Sequence, residues 1–157
     1  MSESSPLGFE LRFGSQSDDP AREAVNGWMR EFNAAANPEF WGKIQAAEHE
    51  ARPLFVFASA GEEVIGGLFA MTQLAWLRIS IMAVHPGCRG RGVGSHLLAA
   101  AEAEAARRGC RYAYVDSMEY QAPGFYEARG YVRRGELPDW DSHGHRKLFF
   151  TKCLAPL

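Results

Sequence analysis

No apolar run in this 157-residue chain reaches the ~18–20 residues that a membrane-spanning helix needs. The opening residues, rich in Ser and Glu, lack the basic and apolar regions of a secretory leader. Neither sign of charge dominates: 17 basic side chains face 19 acidic ones, for a formal net charge of −2. That balance gives no reason to expect nucleic acid or an anionic membrane as a partner. Cysteine is scarce. Cys88, Cys110 and Cys153 are odd in number and widely spaced, whereas zinc and redox motifs need close pairs and a disulfide framework needs an even set. They read as three thiols, two of them buried and Cys88 accessible. No repeat, low-complexity tract or linker interrupts the sequence. These absences point to one domain over residues 1–157, free of metal and cytoplasmic, with 46% hydrophobic residues for its core.

The stretch from Ile81 to Leu98, IMAVHPGCRGRGVGSHLL, stands out. An apolar run ends at His85-Pro86, a loop with Gly90, Gly92 and Gly94 follows, and a helix then begins near Ser95. A strand–loop–helix of this kind turns unpaired backbone N–H groups and a positive helix end toward an anion such as a pyrophosphate. The glycines let the backbone approach it, and Arg89 and Arg91 add cations. A tight turn with no ligand would use the same glycines. Spacing excludes two nucleotide motifs. Gly90-x-Gly92-x-Gly94 has the wrong register for the dinucleotide fingerprint, and no Lys follows as a P-loop requires.

What the spacing does match is Arg89-x-x-Gly92-x-Gly94 directly after Met82-Ala83-Val84. Downstream, Ala122-Pro123-Gly124-Phe125-Tyr126-Glu127 leads into Arg129-Gly130-Tyr131. Together these segments resemble the acetyl-CoA signature (R/Q-x-x-G-x-G/A) and the later A-x-x-x-Y-E-x-x-G-Y/F segment of the GNAT superfamily of N-acetyltransferases. The resemblance runs from about Leu54 to Leu154.

A coarse reading gives a strand at Glu10–Phe13, then a helix opened by Asp19-Pro20 and running to Ala35. Its Val25, Trp28, Met29 and Phe32 recur at helical spacing and are expected in a core. Asn37-Pro38 opens a second helix, expected to reach Arg52, with Asn33–Asn37 as the connection. Strands follow at Leu54–Ala58, Val64–Met71 and Trp76–Val84, with Gly66-Gly67 suggesting a bulge or a close backbone approach. A helix over Gly94–Arg108 buries Val93, Leu97, Leu98, Ala101 and Ala105. Its Glu102 and Glu104 read as a solvated face, and Arg107-Arg108 as partners of the helix dipole. A strand at Arg111–Asp116, a short helix from Pro123 to Gly130, and strands at Tyr131–Arg134 and Arg146–Cys153 complete the chain. The order is that of the α/β (α+β) GNAT fold, a mixed, mostly antiparallel twisted sheet with helices on both faces.

The resemblance implies acetyl-CoA as acyl donor, bound through the main chain of Met82, Ala83 and Val84. Its pyrophosphate would take N–H groups from Arg89, Gly90, Arg91, Gly92, Val93, Gly94 and Ser95. It places Tyr126 as the general acid for the departing thiolate, and a phenol with a pKa of ~10 carries the proton needed. Many relatives carry Asn seven residues before this tyrosine, where this chain has Glu119, and Gln121 is the nearest amide. Removal of the amine's proton falls to Asp116, Glu119, His145 or water, with His143 on the same loop as His145. Trp28, Phe32, Phe40, Trp41 and Tyr120 are aromatic candidates for an acceptor pocket. The expected acceptor is a small-molecule amine. A protein lysine or N-terminus and a non-catalytic acyl-CoA-binding module are the alternatives, and a homodimer is left open.

Overall fold

A computed structural model describes residues 9, 11–17 and 19–154. The chain divides into two compact units, Met1–Ala46 and Ala47–Leu157. The smaller holds α1 (Pro20–Ala36) and α2 (Pro38–Ile44). Both start where the Asx-Pro signals said. The Asp19 carboxylate accepts from the Ala21 N–H at 2.9 Å, and the Asn37 amide oxygen accepts from the Phe40 N–H at 3.1 Å. Arg12 also bonds Asp19 and holds its carboxyl down to about 2.

Several expectations fail in this unit. Leu11–Phe13 are not a strand, and Glu10 lies outside the described residues. Residues 33–36 continue α1 rather than forming a connection, because the Asn37 N–H still reaches the Asn33 carbonyl at 2.9 Å. The second helix stops at Ile44, and only a 3-10 turn, Ala47–His49, precedes the next strand. The stripe of Val25, Trp28, Met29 and Phe32 is exposed rather than packed in a core. Helical periodicity shows that a stripe exists, not what covers it.

The larger unit contains β1 (Arg52–Ala60), β2 (Glu63–Gln73), β3 (Trp76–Val84), α3 (Val93–Arg107), β4 (Tyr112–Met118), α4 (Pro123–Glu127), β5 (Val132–Leu137) and β6 (Lys147–Cys153). The six strands form one sheet in the order β1-β2-β3-β4-β6-β5. Every pairing is antiparallel except β3–β4. A parallel neighbour needs a long crossover, and α3 supplies it. Its Leu97, Leu98, Ala101 and Ala105 are buried against Leu54, Leu68 and Leu77, as the apolar face predicted. Each leucine so buried contributes on the order of 1.5–3 kcal/mol.

Of the three register shifts in the sheet, two lie in the pairings of β2. The register of β1 on β2 passes from Ala58↔Gly66 to Ser59↔Val64, so Ile65 bulges beside the glycine pair. A Cβ on Gly66 would lie 3.2 Å from the Ala83 carbonyl oxygen and from Val93 and Leu97, which is the close approach the sequence hinted at. The register of β2 on β3 passes from Phe69↔Ile81 to Ala70↔Ile79, leaving Ser80 as a second bulge. From that point β3 and β4 part: their pairing ends at Ile79↔Val115, although β3 continues to Val84 and β4 to Met118.

Side chains read as solvated or peripheral bind the unit together. Glu102 accepts from the Tyr131 phenol at 2.9 Å and from Lys152 Nζ at 2.7 Å. Glu104 bonds both Arg107 and Arg108, and Arg108 also reaches the Pro53 carbonyl at 3.0 Å and Thr72 at 3.2 Å. Arg108 therefore fastens the end of α3 to β1 and β2, while Arg107 pairs only with Glu104 on the helix itself. Cys110 is buried, but Cys153 is exposed where burial was expected, and Cys88 is half-buried.

Candidate active site

The loop after β3 is built around its glycines. Gly90 and Gly92 sit at φ of +74° and +82°, a left-handed backbone that L side chains resist. Gly92 is the N-cap of α3, and having no side chain it leaves the first turn without a side-chain cap. The N–H groups there are open to an external acceptor such as a phosphate. Gly94 faces α4: a Cβ there would meet the Phe125 ring at 3.4 Å, an ordinary van der Waals contact.

A cleft of about 730 Å³ lies along this loop, within the usual range for small-molecule sites. It is lined by residues 82–84, 88–90, 92–95 and 120–122, with Phe125 and Arg129. Of the proposed cofactor-binding residues, Met82, Ala83, Val84, Arg89, Gly90, Gly92, Val93, Gly94 and Ser95 are brought together. Arg91 is not: it lines a separate cavity with Phe57 and His96. Arg89 donates from Nε to the Val84 carbonyl at 3.1 Å, which ties the loop back to the strand end.

Where β3 and β4 part, a smaller cavity of about 130 Å³ is lined by Ser80, Met82, Asp116, Gln121 and Tyr126, among others. It shares Met82, Gln121 and Ala122 with the cleft. Tyr126 is only 7% exposed, its ring set edge-on to Tyr131 at 5.6 Å and against Phe150 at 6.2 Å. Its hydroxyl makes no hydrogen bond among the described residues, yet it is not a sealed, unsatisfied atom, so the oxygen opens into the cavity. Burial, and then the negative charge of Asp116, push this phenol above its ordinary pKa, which keeps it protonated.

The three candidates for handling the amine differ in their surroundings. Asp116 lines the small cavity, paired with Lys147 Nζ at 2.8 Å and accepting from the Tyr114 hydroxyl at 3.3 Å. Glu119 accepts from the Arg146 N–H at 2.8 Å and from Arg146 Nε at 2.9 Å, bonds that lower its pKa. That carboxylate stitches the end of β4 to the start of β6, and both its oxygens are engaged. His145 bonds Asp141 through Nδ1 at 2.6 Å and packs edge-on to Tyr120, 5.0 Å between centroids. Gln121 folds onto the end of β4, its amide oxygen accepting from the Met118 N–H at 2.8 Å.

Sequence reasoning passed over Arg129 and Asp141. Arg129 lies inside the second motif, beside Gly130, and donates to the Phe125 carbonyl at 2.8 Å and to Ser95 Oγ. Asp141 sits in an aperiodic loop, where no spacing rule marks it.

The sheet with parted strands and the glycine-capped crossover helix are the fold of acetyltransferases. The model of the Acetyltransferase (GNAT) family matches residues 19–131, and the chain belongs to that family. It is an acetyl-CoA-dependent acetyltransferase. A blasticidin-S acetyltransferase from Streptomyces morookaense is 44% identical over 96 residues, covering 58% of this chain and 71% of that protein. The crystal structure of an acetyltransferase from Bacillus cereus superposes with a TM-score of 0.71 at 26% identity, covering 90% of this chain and 97% of that one. An aminoglycoside 6'-N-acetyltransferase crystallised with coenzyme A shares the fold, with a TM-score of 0.62 at 17% identity over 90% of this chain and 97% of that one. Among the described residues, no helix is long and apolar enough to cross a membrane.

Proposed function

We propose that this enzyme transfers the acetyl group of acetyl-CoA to the amine of a small molecule by direct attack, with Tyr126 as the general acid. Acetyl-CoA supplies the activated acyl carbon as a thioester. The uncapped first turn of α3 and the backbone of residues 89–95 hold its pyrophosphate, and the unpaired end of β3, residues 82–84, offers main-chain groups to the pantetheine arm and the thioester carbonyl. Stabilising that oxygen as it gains charge is the largest task of acyl transfer.

As the carbon–sulfur bond breaks, the Tyr126 hydroxyl gives its proton to the sulfur. The observation that carries this role is the unbonded hydroxyl opening into the cavity between β3 and β4. A phenol merely packed on the sheet would have no reason to aim its oxygen there. A small-molecule acceptor is supported by the relative named for blasticidin S.

Thiol release from acetyl-CoA, measured against blasticidin S, an aminoglycoside, a lysine-containing peptide and a free peptide N-terminus, tests the reading. Turnover with one of the small amines, and little with the peptides, is the expected result. Turnover confined to peptides overturns the substrate class, and acetyl-CoA binding without turnover overturns catalysis.

A further inference from the structure

The β5–β6 loop is constructed around one imidazole. Asp139 and Ser142 hold positive φ values of 48° and 60° without being glycine, and Gly144 stands at +89°. Such backbone persists only where the surroundings over-determine it, and here side-chain bonds do so. Asp139 Oδ1 accepts from the Gly144 N–H at 2.7 Å. Asp141 Oδ1 accepts from the His143 N–H at 3.0 Å and the His145 N–H at 3.2 Å, while Oδ2 takes His145 Nδ1 at 2.6 Å. A carboxylate only accepts, so Nδ1 carries the hydrogen and Nε2 holds the lone pair of the neutral ring.

The position of this ring is fixed from the other side as well. The Glu119 N–H donates to the Arg146 carbonyl at 3.0 Å, and the Glu119 carboxylate binds Arg146, so the residue next to His145 is locked to the end of β4. The Tyr120 ring, which lines the cleft beside Gln121 and Ala122, packs on the imidazole. The charged and titratable groups around it are Asp141 on its own loop, Glu119 and Tyr120 from the segment after β4, and Arg146, itself paired with Glu119 and Glu136.

Building on acetyl transfer to an amine, we propose that His145 is the general base of the reaction and that Asp141 is its positioning residue. Glu119 is held in an ion pair with Arg146 and Asp116 in one with Lys147, whereas His145 Nε2 accepts no hydrogen bond from any described residue and belongs to a ring held through its Nδ1. The amine nitrogen uses its lone pair to bond the acetyl carbon, and its N–H proton passes to His145 Nε2. The carbon–sulfur electron pair leaves on sulfur, which takes the Tyr126 proton. The imidazolium then loses its proton to solvent, and solvent restores that of Tyr126, so no net charge accumulates on the protein. Asp141 stabilises the imidazolium in the interval.

The test uses the full chain, acetyl-CoA, and blasticidin S and an aminoglycoside as amine probes, with thiol release as the assay. His145→Gln is expected to lower kcat about 10²-fold or more, while calorimetric acetyl-CoA affinity stays at the wild-type value. Added imidazole should restore part of the rate to His145→Ala. Asp141→Asn should give a smaller fall in kcat and abolish the low-field proton resonance of the Nδ1–H, a readout independent of turnover. Wild-type turnover with an unchanged rate in His145→Gln overturns the proposal alone. No turnover by the wild type with either amine overturns the acetyl-transfer reading and this proposal with it. If His145→Gln fails to bind acetyl-CoA, Asp141→Asn decides: a wild-type rate with the resonance lost overturns the pairing, and a reduced rate sustains it.

Discussion

The guanidinium carbon of Arg129 lies 3.6 Å from the centroid of the Phe125 ring, and the same group donates to the Phe125 carbonyl and to Ser95 Oγ. One side chain thus joins α4, which carries Tyr126, to the first turn of α3, which faces the phosphate site. A planar fork that stacks and donates in two directions is something lysine cannot reproduce.

Arg129→Leu keeps an apolar stem over the ring and removes the two hydrogen bonds and the cation. Loss of about 2 kcal/mol is expected, from a charged hydrogen bond and a partly desolvated cation–π contact. Urea unfolding measures it. Arg129→Lys should recover less than half of that loss, and both variants should bind acetyl-CoA more weakly by calorimetry, because the α3 first turn loses its brace.

Tyr126→Phe removes one oxygen that makes no protein hydrogen bond, so stability should change little. If the hydroxyl protonates the thiolate, single-turnover kcat falls on the order of 10²–10⁴-fold while acetyl-CoA affinity holds. A near-normal single-turnover rate would leave protonation to water.

Gly92→Val puts a β-branched residue at φ +82°, at a cost of roughly 1–2 kcal/mol or more in backbone strain. The added Cβ would meet only the His96 ring, at 3.6 Å, so the conflict lies in the backbone rather than in packing. Acetyl-CoA affinity should fall, since relief of the strain turns the first-turn N–H groups away from the phosphates. By contrast, NAD or ATP should raise the melting temperature of the wild type far less than acetyl-CoA at equal concentration.

Acid should loosen the end of α3. Arg107 first, and then Arg108, hold the Glu104 carboxyl down to about 2 from an ordinary 4.5. Folding therefore favours its ionised form: the contribution is complete above about pH 4.5 and is lost as pH falls toward about 2. Glu119, lowered through Arg146, acts in the same sense. Chemical unfolding across this window should show stability falling with pH, and Glu104→Gln should flatten part of that slope.

Much of the larger unit was legible because its signals are local. The β3 limits agree to the residue, α3 buries the apolar face its spacing marked, and Gly90 and Gly92 take the left-handed backbone that glycine allows easily. Motif spacing also brought the phosphate loop and Tyr126 to one cleft system. Errors arose where a chemical type had two uses. Glu102 looks like a surface residue on a helical wheel, and only the fold brings Tyr131 and Lys152 to it. Arg91 and Arg89 are equivalent as letters, and only the fold shows that Arg89 lines the cleft while Arg91 lines the adjoining cavity that shares Val93 with it.

The sequence by itself determined the family and marked a candidate donor loop and a candidate acid, because backbone conformation and motif register depend on residues close together in the chain. Tertiary structure decided where β3 and β4 part, which arginine braces α4, and which partners engage Asp116, Glu119 and His145. Those outcomes depend on pairings such as Glu119 with Arg146 and Asp116 with Lys147, across strands that only folding brings together. Whether a polar group is engaged or open is set by its neighbours in space, and no single position in the sequence carries that information.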